Sequence, residues 1–250
     1  MIKVQTIRIT GNPTDFAHAS FPTLPTTERV IGIYCRNENK KDLGYVNFGM
    51  DVGGLEIFPD EFPLRLLTCE GLNSAPLRQI DVRLERYFDL TPFAIKAGGE
   101  MVDIWLSNNG DFAVDVVLVL DDTPVTTEQS RKYQIVWLPQ RPNETVKKSF
   151  TTFSDYSKVT GIAVIADQLT NGFCYNTFSR FGLKIGGQEI FPNEYPANNL
   201  FVNSQCVQMD KNFYDLKPFD VQAGGTTGEI TFENNKGFGN DMICVFELSK

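Results

Sequence analysis

Residues 52–63 read VGGLEIFPDEFP, and residues 185–196 read IGGQEIFPNEYP. Eight of these twelve positions are identical at a constant offset of 133, and three of the four substitutions keep the character of the side chain. A second block, FDLTPFAIKAGG at 88–99, returns as YDLKPFDVQAGG at 214–225 with seven identities at an offset of 126. The chain is therefore a tandem duplication.

Each copy has the pattern of a series of short strands. Residues 6–10 alternate between polar and apolar, and residues 29–35 form a mostly apolar run, as half-buried and buried strands do. Gly53-Gly54 predicts a two-residue hairpin turn, because glycine tolerates positive φ angles, and Pro59 and Pro63 predict a corner after the next strand. Short strands separated by turn residues at intervals of about 8–12 residues are typical of β-sandwiches. We predict an all-β protein of two tandem β-sandwich (jelly-roll-like) domains.

The change of offset locates the domain boundaries. The first copy carries seven extra residues between the two repeated blocks, a difference that a loop accommodates at little cost. The stretch after the first copy is polar and turn-forming, as a boundary between domains should be. We predict a first domain at 1–122, a linker at 123–131 and a second domain at 132–250.

Composition and charge exclude several classes of protein. Hydrophobic residues make up 42% of the chain, which predicts a packed protein, and the net charge of -8 disfavours binding to nucleic acid or to anionic membranes. We expect no signal peptide and no transmembrane segment, because no apolar run is long enough. The five cysteines are odd in number and scattered, which predicts reduced, mostly buried thiols.

Few residues could support catalysis. His18 is the single histidine; we expect it in an irregular loop at 15–24, and the chain has no Gly-x-Ser-x-Gly motif for a nucleophile. Paired glutamates recur in both copies and could serve in acid/base chemistry, but they alternate with apolar residues as a solvated strand face does: Glu56, Glu61, Glu189 and Glu194. We predict no catalytic residue and no enzymatic activity.

Metal and cofactor sites are also not predicted. Three oxygen-rich stretches could hold calcium, yet none has the spaced Asp-x-Asp-x-Asp-Gly pattern: Asn37-Glu38-Asn39, Asp60-Glu61 and Asp121-Asp122. Gly98-Gly99 and Gly224-Gly225 are not followed by Gly-Lys-Ser/Thr or by a helix, so we interpret them as hairpin turns and not as phosphate loops.

Aromatic residues leave one binding function open. Four of them could form a stacking platform for sugars, although their apolar neighbours favour a place in the core: Trp105, Trp137, Tyr175 and Phe178. The Asn108-Asn109 and Asn234-Asn235 pairs are explained by hairpin loops. A carbohydrate-binding or receptor-binding module is therefore the alternative to a structural protein.

The duplicated sandwich and the repeated pattern Tyr/Phe-Asp-Leu-x-Pro-Phe-x-Ile/Val-x-Ala-Gly-Gly, followed by a long apolar last strand, resemble the double jelly-roll virion proteins of tailless bacteriophages. The resemblance is one of architecture, and it covers the whole chain. It implies a trimer with a six-fold outline that tiles an icosahedral shell, with other virion proteins as partners and the virion as location after synthesis in the host cytoplasm. The roles of major capsid, vertex, spike-base and accessory protein stay open.

Overall fold

The computed structural model describes residues 1–11, 16–37, 46–68, 87–107, 112–126, 128–139, 143–166, 179–200, 213–234 and 241–250. The chain divides into two compact units, the first within Met1–Ser130 and the second beginning at Arg131. In the described ranges the secondary structure consists of strands and short 3₁₀ turns, without an α-helix.

The first domain contains two facing antiparallel sheets. One has the order β1-β9-β3-β6 with β7 also paired to β3, and the other has the order β2-β8-β4-β5. The first four strands thus alternate between the two sheets, as in a jelly roll. The strands are β1 (Lys3–Gly11), β2 (Phe16–Pro22), β3 (Arg29–Asn37), β4 (Asn47–Val52), β5 (Leu55–Pro63), β6 (Phe88–Asp89), β7 (Ile95–Lys96), β8 (Met101–Ser107) and β9 (Phe112–Asp121).

The second domain repeats this topology, except that among the described residues it has no strand equivalent to β7. Its sheets have the orders β10-β17-β12-β15 and β11-β16-β13-β14. The predicted all-β fold of two jelly-roll sandwiches from a duplication is confirmed. The strands are β10 (Arg131–Leu138), β11 (Thr145–Thr151), β12 (Lys158–Ala166), β13 (Arg180–Ile185), β14 (Gln188–Pro196), β15 (Tyr214–Asp215), β16 (Thr227–Glu233) and β17 (Met242–Ser249).

The core of each domain lies between its two sheets. In β8 the side chains of Val102, Ile104 and Leu106 are fully buried and alternate with more exposed residues, because successive strand residues point to opposite faces. Burial of each such side chain contributes about 1.5–3 kcal/mol. The alternation therefore fixes which face of the β2-β8-β4-β5 sheet is directed outward.

The phenylalanine of the repeated stretch is a centre of each core. Phe58 and Phe191 are 1% and 2% exposed. The Phe58 ring centroid lies 4.5–6.3 Å from those of Phe48, Phe62, Phe88 and Phe93. The Phe191 centroid lies 4.7–6.1 Å from those of Phe181, Tyr195, Tyr214 and Phe219. The phenylalanine of the repeated stretch thus has the same packing role in both domains.

The glycine pairs of the repeated stretch form the predicted hairpin turns. Gly53 and Gly54 have φ angles of 58° and 79°, and Gly186 and Gly187 have 60° and 79°. Two successive positive φ angles give the turn whose twist matches the flanking strands, which explains why both positions are glycine.

The predicted proline corner is wrong, because Pro59 and Pro63 both lie within the single strand β5. Met50 pairs with Phe58 and Phe48 pairs with Phe62, so residues 59–61 bulge opposite Gly49. The second domain has the same bulge, with residues 192–194 opposite Gly182. A β-bulge accommodates proline without breaking the strand, since the bulged residues leave the regular hydrogen-bond ladder.

The other repeated block is a capped turn. The Thr91 N–H donates to Asp89 Oδ1 (2.9 Å), and the Lys217 N–H donates to Asp215 Oδ1 (3.0 Å). Each aspartate thereby opens a 3₁₀ turn, Thr91–Phe93 or Lys217–Phe219. The interpretation of Gly98-Gly99 as a hairpin turn is wrong, because this pair joins β7 of one sheet to β8 of the other.

Strand β9 ends at Asp121 and β10 begins at Arg131. The boundaries at 122 and 132 stay a prediction.

Cys35 and Cys244 are buried free thiols whose pKa is raised by burial, whereas Cys69, Cys174 and Cys206 lie outside the described residues.

Candidate functional site

The outer face of the β2-β8-β4-β5 sheet carries the most distinctive side chains of the first domain. Strand pairing places His18 beside Trp105 and Trp105 beside Gly49. In the next outward row, Asp103 lies beside Asp51. We call this surface, with Phe16, Met101 and the bulge residue Asp60, the Trp105 face.

His18 lies on β2, so the prediction of a loop histidine is wrong. Its ring stacks on that of Trp105, with centroids 5.5 Å apart and planes inclined by 20°. Its Nε2 lies 3.4 Å from Asp103 Oδ1, and its side chain is 50% exposed. The period-two pattern of Ala17, His18 and Ala19 is the signal that places this histidine outward on a strand.

Gly49 makes room for Trp105 and for the bulge. A Cβ atom at Gly49 would lie 2.6 Å from Asp60 Oδ1 and 3.3 Å from Trp105 Cε3. The missing side chain therefore lets the tryptophan ring and the aspartate approach the sheet together. This glycine was not singled out in the sequence, because its role depends on the opposing bulge.

Negative charge is concentrated around the aromatic pair. The pKa of Asp51 is raised, first by burial and then by the carboxylates of Glu56, Asp60 and Asp103. In the described part of the chain, no lysine or arginine forms an ion pair with Asp51, Asp60 or Asp103. The rows that contain Trp105 and Asp51 have no basic residue other than His18.

The equivalent face of the second domain has no aromatic pair. Lys147 on β11 pairs with Thr231 on β16, which pairs with Gly182 on β13. Lysine and threonine thus stand at the places that His18 and Trp105 occupy in the first domain.

The acidic row also differs between the domains. Lys184 takes the place of Asp51, between Glu229 and Glu189. Lys184 Nζ lies 3.5 Å from Glu189 Oε2, and Lys147 Nζ lies 3.8 Å from Glu229 Oε1. The second domain therefore has lysine ion pairs on this face, whereas Asp51 and Asp103 of the first domain form none with a described lysine or arginine.

The four paired glutamates do not form an enclosed acid/base site. Glu56, Glu61, Glu189 and Glu194 are all exposed. A carboxylic acid with a useful raised pKa needs a desolvated pocket. Sequence and structure agree that these residues belong to a solvated face.

The oxygen-rich stretch Asp121-Asp122 is engaged by positively charged groups. Asp121 accepts two hydrogen bonds from Arg29, at 2.8 and 3.2 Å, and both Asp121 and Asp122 lie beside the amino group of Met1. The arginine lowers the pKa of Asp121 by hydrogen bonding. Among the described residues no group of three or more His, Cys, Asp or Glu side chains could hold a metal ion. Glu38 and Asn39 lie outside these residues.

Two of the remaining aromatic and amide candidates are among the described residues, and both lie in the second domain. Trp137 lies on β10, paired with Ile243 of β17, in the other domain. Asn234 is buried, and its N–H donates to the carbonyl of Glu144. Tyr175, Phe178, Asn108, Asn109 and Asn235 lie outside the described residues.

Solved structures of proteins from two viruses have a similar fold. A chain of the Sulfolobus Turreted Icosahedral Virus (STIV) structure matches 99% of this chain with 90% of its own, at a TM-score of 0.54 and 9% identity. The STIV major capsid protein matches 100% with 97% of its own chain, at a TM-score of 0.53 and 9% identity. This chain has the double jelly-roll fold.

The major capsid protein P2 of bacteriophage PM2 also matches, over 100% of this chain and 97% of its own, at a TM-score of 0.48 and 12% identity. No protein-family model and no curated protein sequence matches the chain. The resemblance to double jelly-roll virion proteins is confirmed for the fold. No helix in the described ranges is long and apolar enough to cross a membrane.

Proposed function

We propose that this chain is a structural protein of a virus particle that acts by self-association. The observation that carries the proposal is the match of both domains together, over nearly the full length of each chain, to the fold of the STIV major capsid protein. A match to one sandwich alone would be compatible with many functions, since single jelly rolls occur in capsid and lectin domains.

The proposed assembly is a trimer. Two equivalent sandwiches per chain give six in a trimer, so an object with three-fold symmetry acquires a nearly hexagonal outline. Such an outline suits a tile of an icosahedral shell. The trimer, its association with other virion proteins and its location in the virion follow from the sequence resemblance. STIV is an archaeal virus, so the proposal of a bacteriophage particle rests on that resemblance alone.

The proposed absence of enzymatic activity and of direct nucleic-acid binding has separate support. The candidate glutamates are exposed on strand faces, where no pocket desolvates them. The net charge of -8 repels phosphate backbones. A screen for hydrolase activity with Glu56→Gln and Glu189→Gln variants tests the first statement: activity that either substitution abolishes contradicts it.

The mass of the purified protein in solution tests self-association. We expect light scattering to give roughly 84 kDa, three times the chain mass of 28.1 kDa, with the trimer population rising with concentration. A mass of one chain at all concentrations, up to the solubility limit, contradicts the proposal.

The alternative, a carbohydrate-binding module, depends on Trp105, because this tryptophan lies on an outer sheet face with His18 stacked on it. A glycan array separates the two functions. Saturable glycan binding that is lost in Trp105→Thr and kept in Trp137→Ala favours the alternative. We expect no such binding.

A further inference from the structure

The Trp105 face combines exposed apolar groups with negative charge. Phe16 lies on the same side of β2 as His18 and is 81% exposed, and Met101 lies on the same side of β8 as Asp103 and is 44% exposed. A large exposed aromatic ring on the same sheet face as a partly exposed tryptophan is a feature of interaction sites more than of solvated sheet faces. The face is therefore a candidate docking surface.

The carboxylates determine the charge of the partner. Asp51 and Asp103 lie directly opposite each other on neighbouring strands, an arrangement of like charges that destabilises a sheet. Asp60 is held against Gly49 beside the tryptophan. Among the described residues the His18 ring lies beside Asp103, and no lysine or arginine forms an ion pair with any of these three aspartates. A cationic group from outside would relieve the repulsion.

The second domain serves as an internal comparison. The two domains share their topology and the bulge, yet the second has Lys184 where the first has Asp51 and Thr231 where the first has Trp105. The fold therefore accommodates a neutralised face without aromatic residues. The retained charge and the stacked rings of the first domain are properties of its surface and not requirements of the sandwich.

We propose that the Trp105 face docks a basic segment of a partner protein, with an arginine or lysine side chain against the stacked Trp105 and His18 rings and its charge among Asp51, Asp60 and Asp103. A guanidinium group fits this surface well, because it stacks on aromatic rings and pairs with carboxylates. Phe16 and Met101 then contact the apolar parts of the segment. The inference goes beyond the capsid role and does not depend on the trimer.

Fluorescence anisotropy with a labelled hexa-arginine peptide tests the inference on the full chain. About 150 mM salt limits the attraction by distant charges, because the screening length is then about 8 Å. The variants Asp51→Lys and Trp105→Thr install residues that the second domain already has at the equivalent places, and they lie on different strands. Glu128→Lys, an exposed position in the linker, is the matched control for the change in net charge.

We expect saturable binding that Asp51→Lys weakens about tenfold and Trp105→Thr about threefold, while Glu128→Lys changes it less than about twofold. The inference is overturned by absence of saturable binding, or by equal weakening in all three variants, which would indicate unspecific attraction. If Trp105→Thr abolishes binding of a glycan but leaves binding of the peptide unchanged, the inference is overturned in favour of a sugar site. Loss of trimer mass in Asp51→Lys overturns it in favour of an interface between copies.

Discussion

Replacement of Phe58 by alanine should destabilise the first domain strongly. The ring is 1% exposed and contacts four other phenylalanine rings, so its removal leaves a cavity that the two sheets cannot close. A buried Phe→Ala substitution costs about 3–5 kcal/mol, a large part of the 5–15 kcal/mol that stabilises a typical domain. Phe191→Ala should do the same to the second domain.

The two tryptophans allow each domain to be followed separately, since Trp105 lies in the first and Trp137 in the second. In a Trp137→Phe background, the fluorescence of Trp105 reports urea unfolding of the first domain. With a slope of about 2 kcal/mol per molar urea, Phe58→Ala should lower the midpoint by roughly 2 M. Glu61→Gln, an exposed change in the same strand, should leave it nearly unchanged.

If Phe58→Ala lowers the free energy of unfolding by less than about 1 kcal/mol, the conclusion that Phe58 is a centre of the core is refuted. An equally large effect of Glu61→Gln would refute it as well, because a solvated carboxylate has no part in the core.

Three further substitutions test local features. Gly49→Ala should cost about 1–3 kcal/mol in urea unfolding, because its Cβ would lie 3.1 Å from Asp60 Cα in the bulge backbone and 3.3 Å from Trp105 Cε3; an unchanged midpoint contradicts the bulge contact. Asp121→Asn should cost about 1 kcal/mol at pH 7, and the difference from wild type should vanish as the pH falls through the lowered pKa of Asp121; a difference that persists at about pH 2 argues against the Arg29 pair. Asp51→Asn should instead stabilise the domain by about 0.5 kcal/mol at neutral pH, because the raised pKa of Asp51 makes wild type lose stability as this carboxyl group ionises. Below the ordinary aspartate pKa of about 4 the variant should have no advantage over wild type. Equal stability of variant and wild type at both pH values contradicts the repulsion.

The duplication made the fold predictable. Two similar copies of the Gly-Gly hairpin and of the Asp-Leu-x-Pro-Phe block required two similar domains, and period-two alternation required strands. Glycine at 53 and 54 could be assigned to a hairpin from its backbone freedom alone, and the φ angles confirm that assignment.

The predictions of a proline corner and of a histidine loop are wrong for a common reason. Proline near Asp60 indicates a break only when the strand is considered alone, whereas the opposing Gly49 turns the same residues into a bulge. The neighbouring prolines predict a loop for His18, although its own alternation with alanines places it on β2. Pairing partners distant in sequence decide both cases.

The Trp105 face was only partly accessible from the sequence. Trp105 could be named as a stacking candidate, but Asp51, Asp60 and Asp103 come from three strands and meet only through sheet order. Once the topology is known, aligning the two copies exposes the difference, since Lys184 and Thr231 replace the distinctive residues of the first domain. The residues that the two copies share thus indicate the fold, whereas the residues that differ between them mark the Trp105 face.

Electron microscopy of the purified protein tests the proposed capsid role most directly. Averaged images along the symmetry axis should show six lobes with three-fold symmetry, two lobes from each chain. Images that show isolated two-lobed particles, or a closed dimer with four lobes, would contradict the proposal that this double jelly roll builds a shell.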